Sequence, residues 1–88
     1  MKMIIAIVND EESETVTHAL TDASFRVTTI ASTGGFLRKG ITTLLGALED
    51  EKLTDALGVF RNCFPPHKET ESTRCRLFVI NVAEYHHF

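Results

Sequence analysis

An α+β fold with element order β-α-β-β-α-β follows from three features of this 88-residue sequence. Two segments carry apolar residues at helical steps: Val16, Ala19, Leu20 and Ala23 in one, Leu53, Ala56, Leu57 and Phe60 in the other. Strand-like runs flank both segments. A loop with adjacent glycines separates the two middle runs, which makes them partners in one sheet. This order is the ferredoxin-like split βαβ arrangement, with two helices on one face of a four-stranded antiparallel sheet. A chain of this length is expected to form a single domain, residues 1–88.

The first strand is expected at Met3–Val8 (MIIAIV), whose nearly continuous apolar character suits a central position. Asn9, with Glu12 three residues on, predicts a capping box. Glu11, Glu12 and Glu14 stand where a helix dipole favours anions. His18 falls off the apolar stripe and is expected in solvent. Phe25–Ala31 alternates: Phe25, Val27 and Thr29 share one face, Arg26, Thr28 and Ile30 the other. Arg26 and Thr28 read either as a solvated strand face or as the polar wall of a cleft with Arg26 set for a phosphate.

The loop TGGFLRKG follows. Gly34 and Gly35 permit positive φ and close approach to a ligand. It reads either as an ordinary hairpin connection or as a concavity of N–H groups for an anion. Ile41–Leu48 returns as a strand, in which Gly46 predicts a bulge or a close backbone approach. Glu49, Asp50 and Glu51 open the second helix, which Gly58 weakens without breaking. Residues 63–72, stiffened by Pro65 and Pro66, form a loop. Thr73–Val82 is the last strand, and the chain closes on Ala83, Glu84, Tyr85, His86, His87 and Phe88.

Composition narrows the function. A net charge of −3 argues against coating nucleic acid. No apolar run reaches bilayer length, and Met1 leads straight into a strand with no signal peptide, so a cytoplasmic protein is expected. Cys63 and Cys75 are too few for a disulfide scaffold. Cys63, His67, Cys75, His86 and His87 match no standard zinc spacing. Cys63 stands at a helix C-terminus, which raises a thiol pKa and disfavours nucleophilic use. No triad, no paired carboxylates and no P-loop is present, so nothing points to an enzyme and no cofactor is expected. Two helices leave one sheet face bare, which predicts a homo-oligomer. A threefold arrangement encloses a common core and leaves three equal clefts.

The segments MKMIIAIVND, SFRVTTIASTGGFLRKGITTLLGALEDEK and LFVINVAEYHHF resemble the PII-like cyclic-di-AMP receptors, the PstA or DarA family. The ASTGGFLRKG run carries the most specific part of the match. The resemblance implies a trimeric, non-enzymatic signal receptor that binds cyclic-di-AMP between subunits. It implies ligand contacts from Arg26, Thr28, Gly35, Phe36 and Leu37, and from the positions of Ser24, Ile41, Ala47 and His87. At those last four positions the chain departs from the family pattern, which has Asn, Asn, Gly and Gln. Ile41 cannot donate or accept against a base edge, and an unpaired polar group costs about 1–3 kcal/mol. The connection before the last strand, long in the family, shrinks here to roughly residues 63–72. Two readings therefore stand: a cyclic-di-AMP receptor, or a divergent trimer that has lost the dinucleotide and serves as a protein-interaction module or binds another small anion. A metal-binding trimer similar to the related CutA fold, using His86 and His87, is a third. A signal receptor of this kind is expected to act on a downstream protein.

Overall fold

The computed structural model describes residues 1–32, 40–65 and 74–88. Its elements run β1 (Lys2–Asn9), α1 (Asp10–Asp22), β2 (Thr28–Ser32), β3 (Ile41–Leu48), a 3-10 turn (Asp50–Lys52), α2 (Leu53–Cys63) and β4 (Cys75–Asn81). The four strands form one antiparallel-paired sheet in the order β2-β3-β1-β4. The ferredoxin-like α+β fold expected from the sequence is the one observed.

β1 takes the centre because its alternating residues are apolar on both sides. Ile4, Ala6 and Val8 face the helices and are buried; Met3, Ile5 and Ile7 face the other way and are half-buried. Register carries the same division across the sheet. Leu44 and Leu48 of β3 join the helix-side core with Val16 and Leu20 of α1 and Ala56 and Phe60 of α2. Leu20 is fully enclosed, worth about 1.5–3 kcal/mol of transfer from water. Leu45 and Phe78 flank Ile5, and Ala47 and Ile80 flank Met3, on the uncovered face. Phe78 is 52% and Ile80 41% exposed there, an apolar surface that no described element covers.

Several expectations are corrected. Asn9 occupies the N-cap of α1 with extended backbone but makes no capping hydrogen bond, so the capping box does not form. The helix start is tied down differently. The Asp10 N–H donates to the Gly40 carbonyl at 3.0 Å, and the buried Thr42 hydroxyl donates to the Asp10 carboxylate. β2 begins at Thr28 rather than Phe25 and shifts register between Thr29 and Ala31, leaving Ile30 55% exposed. Ala23 is the exposed C-cap of α1, not part of its buried stripe. In α2, Val59 and Cys63 pack on the core, and Leu57 lies outside the buried cluster.

The turn out of α1 is a Schellman motif. The Ser24 N–H donates to Thr21 O at 2.9 Å and the Phe25 N–H to Leu20 O at 2.8 Å. The geometry forces Ser24 to φ 69°, a left-handed value that suits Gly or Asn better than Ser. A second tight place is Gly46. A Cβ there would lie 3.1 Å from the Arg26 carbonyl oxygen and 3.3 Å from Val27 Cγ1. The expected close approach is therefore real, and it seats the start of β2 on β3.

Cys63 and Cys75 are free and pack against the core edge. Burial, reinforced by the nearby Cys63, pushes the Cys75 thiol up to about 11. Burial first, then Glu12, raises that of Cys63. The direction agrees with the sequence reading of Cys63; the leading cause is burial rather than the helix end.

Three outcomes are expected. Ser24→Gly relieves the left-handed strain and raises stability by about 0.5–1 kcal/mol, read from the urea midpoint at fixed protein concentration. Gly46→Ala drives a methyl toward a backbone oxygen and lowers stability by about 1–3 kcal/mol on the same measurement. Above about pH 9 the unfolded chain loses a Cys75 proton that the folded chain keeps until about 11. Unfolding then releases a proton, so stability falls as pH rises through this window. Subtracting the pH profile of Cys75→Ala isolates the effect.

Candidate functional site

The Schellman turn sets the phase of the segment that follows. Phe25 and Val27 pack against the helix-side core. Arg26, between them, is exposed and borders the same hollow as Thr28 on the other side. Thr28 pairs with Leu45 and so lies on the uncovered face with it. The Gly46 contact holds the Arg26 main chain against β3, where a larger residue would push it away. The helix-end turn, the core contacts of Phe25 and Val27, and pairing with β3 thus fix where Arg26 and Thr28 stand.

Together these residues border a cavity of about 280 Å³. Arg26 and Thr28 form its polar wall, Met3, Leu45, Gly46 and Ala47 its floor, and Tyr85 of the C-terminal segment its far side. A guanidinium, a hydroxyl and a phenol around an apolar floor match a ligand with an anionic group beside a flat hydrophobic one. A guanidinium offers a planar fork of donors to a phosphate. An aromatic face and aliphatic floor suit a nucleobase.

The candidate residues do not all meet here. Arg26, Thr28 and Ala47 do. Ser24 borders an adjoining groove that also includes Arg26 and Ala47. Ile41 sits six residues before Ala47 on β3, roughly 20 Å away at strand spacing. It borders a different hollow with Asn9, Arg74 and Arg76. His87 stacks on Tyr85, with ring centres 6.4 Å apart, and reaches the cavity only through that ring. Gly35, Phe36 and Leu37 lie outside the described residues.

Met3, Leu45 and Tyr85 were not singled out from the sequence. Met3 and Leu45 alternate with buried Ile4 and Leu44, so period-two reasoning along β1 and β3 could have found them. Tyr85 lies in an irregular segment with no periodic signal; it is 61% exposed and is placed by tertiary structure alone.

The remaining chemistry is sparse. Among the described residues no group of three or more His, Cys, Asp or Glu is arranged to hold a metal. His86 pairs with Phe88 at 6.1 Å, while His87 pairs with Tyr85. No described helix is long and apolar enough to cross a membrane.

Comparison with known proteins identifies the fold and the family. The chain is similar to a crystallised protein of unknown function from Pediococcus pentosaceus, at 25% identity and a TM-score of 0.78, over 99% of this chain and 96% of that one. The sequence profile of the cyclic-di-AMP receptors matches residues 1–85. With nearly its whole length matched, the chain belongs to the cyclic-di-AMP receptor family.

Proposed function

We propose that this protein is a PII-like signal receptor whose subunits assemble as a homotrimer and bind cyclic-di-AMP in clefts between neighbours. The single observation that carries the reading is the cavity where Arg26, Thr28 and Tyr85 surround an apolar floor. Arg26 receives a phosphate, Thr28 hydrogen-bonds the sugar-phosphate or base, and the base lies over Leu45 and Ala47 near Tyr85. The uncovered face that includes Ile5, Leu45, Phe78 and Ile80 supports assembly, because burying it removes a large apolar area from water. The distance of Ile41 from the cavity supports a site shared between copies, in which the Ile41 position of one chain serves the cleft of another. The protein acts by binding, as a cytoplasmic signal protein without catalysis, and passes the signal to a downstream protein.

The second reading, a trimer that no longer holds cyclic-di-AMP, has two observations in its favour. Ala47 places a methyl on the cavity floor, and Ile41 brings no polar group. Such a protein would take another small anion at Arg26 or present its surface to a protein partner.

Calorimetric titration with cyclic-di-AMP separates the two. The receptor reading expects saturable heat with one ligand per subunit, and a trimer by sedimentation equilibrium. Arg26→Ala should weaken affinity by about 10- to 100-fold, the range of a lost charge-assisted hydrogen bond. A folded trimer that gives no heat at high micromolar ligand supports the second reading, and a monomer in solution refutes both.

A further inference from the structure

The cavity beside Tyr85 is not the whole depression at this end of the molecule. A groove of about 530 Å³ opens on the other side of Arg26 and Ala47, between the Schellman turn and the start of α2. Its remaining borders are Ser24, Phe25, Glu49, Lys52 and Asp55, with Ala23 and Leu48 completing it. Arg26 and Ala47 border both hollows, so they form a ridge between two compartments rather than the wall of one. Lys52 brings a second cation beyond the ridge. None of the ion pairs found among the described residues involves Arg26 or Lys52.

We infer that the groove of Ser24, Lys52 and Asp55 is a second subsite, which takes the other nucleotide unit of a ligand that straddles Arg26 and Ala47. This rests on the receptor reading above and adds to it where the ligand's second half goes and what selects it. One cation on the ridge, Arg26, and a second beyond it, Lys52, match two phosphodiesters, each carrying one negative charge. Glu49 and Asp55 set the limit on charge. Their carboxylates accept hydrogen bonds from an exocyclic amine of a base and repel further negative charge. A cyclic dinucleotide satisfies this set. A terminal phosphate monoester, closer to a dianion at neutral pH, meets the two carboxylates and is disfavoured. Lys52 is therefore a specificity residue for dinucleotides.

The test compares Lys52→Glu with the wild-type protein against two probes, cyclic-di-AMP and AMP, by calorimetry at fixed salt. AMP needs only the compartment beside Tyr85. The variant should bind cyclic-di-AMP about 10-fold or more weakly while its AMP affinity changes less than about 2-fold. The thermal unfolding midpoint of the variant checks that it folds. Equal weakening for both probes makes Lys52 a diffuse field effect and overturns the subsite, as does no change for either. Binding of cyclic-di-AMP by the wild type with no Lys52 effect sinks this inference alone. Absence of wild-type binding to cyclic-di-AMP sinks the receptor reading and the subsite together. In a second measurement, Asp55→Lys should tighten binding of the linear dinucleotide with a terminal phosphate (pApA) relative to the cyclic form. An unchanged ratio between the two ligands overturns the charge limit assigned to this groove.

Discussion

Two helices of 13 and 11 residues cover one face of a four-stranded sheet, and no other described element covers either face. Every other property of the molecule follows from this constraint. On the covered face, alternate residues of β1 and β3 pack against Val16, Leu20, Ala56 and Phe60 and hold the subunit together. On the bare face Met3, Ile5, Leu45, Phe78 and Ile80 are also apolar, where solvent would ordinarily favour polar residues, and polar ones enter toward Thr43 and Arg76 and at Thr28. A sheet apolar on much of both sides with described helices on one is what the proposed assembly of subunits would complete. The cavity lies at the edge of that bare face, so in the proposed receptor ligand binding and subunit association would draw on the same surface.

The site is placed by main-chain geometry more than by side-chain contacts. A left-handed Ser24 closes α1, Phe25 and Val27 lock into the core, and Gly46 admits the Arg26 carbonyl. Arg26 is thereby held by its neighbours while its own guanidinium stays available. A receptor benefits from this division of labour. The residues that pin the strand bear the folding energy, and the residue proposed to meet the ligand would lose little entropy in its backbone on binding. It also explains why two small residues, Ser24 and Gly46, matter at a site neither would occupy for its chemistry.

Much of the fold was legible because it rests on local patterns. The bounds of β3, Ile41–Leu48, and the close approach at Gly46 could be read from alternation and from one glycine in a strand. The failures have local causes as well. Asn9 looked like a capping residue, yet Gly40 and Thr42 secure the helix start, and both lie thirty residues away in the chain. Phe25 to Val27 alternate like a strand but are occupied in leaving a helix. The bulge at Ile30 has no composition signal. For the site, Arg26, Thr28 and Ala47 came together, Ser24 and His87 adjoin the cavity indirectly, and Ile41 stands apart.

The sequence by itself determined the element order, which face of each strand is apolar, and that one face would lack cover, because these depend on period and chain length. Its glycine-loop resemblance determined the family. Only the tertiary structure decided that Arg26 and Ala47 form a ridge between two hollows, that Tyr85 closes one of them, and that Lys52 and Asp55 border the other. Residues 3, 26, 47, 52 and 85 are brought together by strand register and by the way the helix turns end. Neither leaves a periodic trace in the order of amino acids.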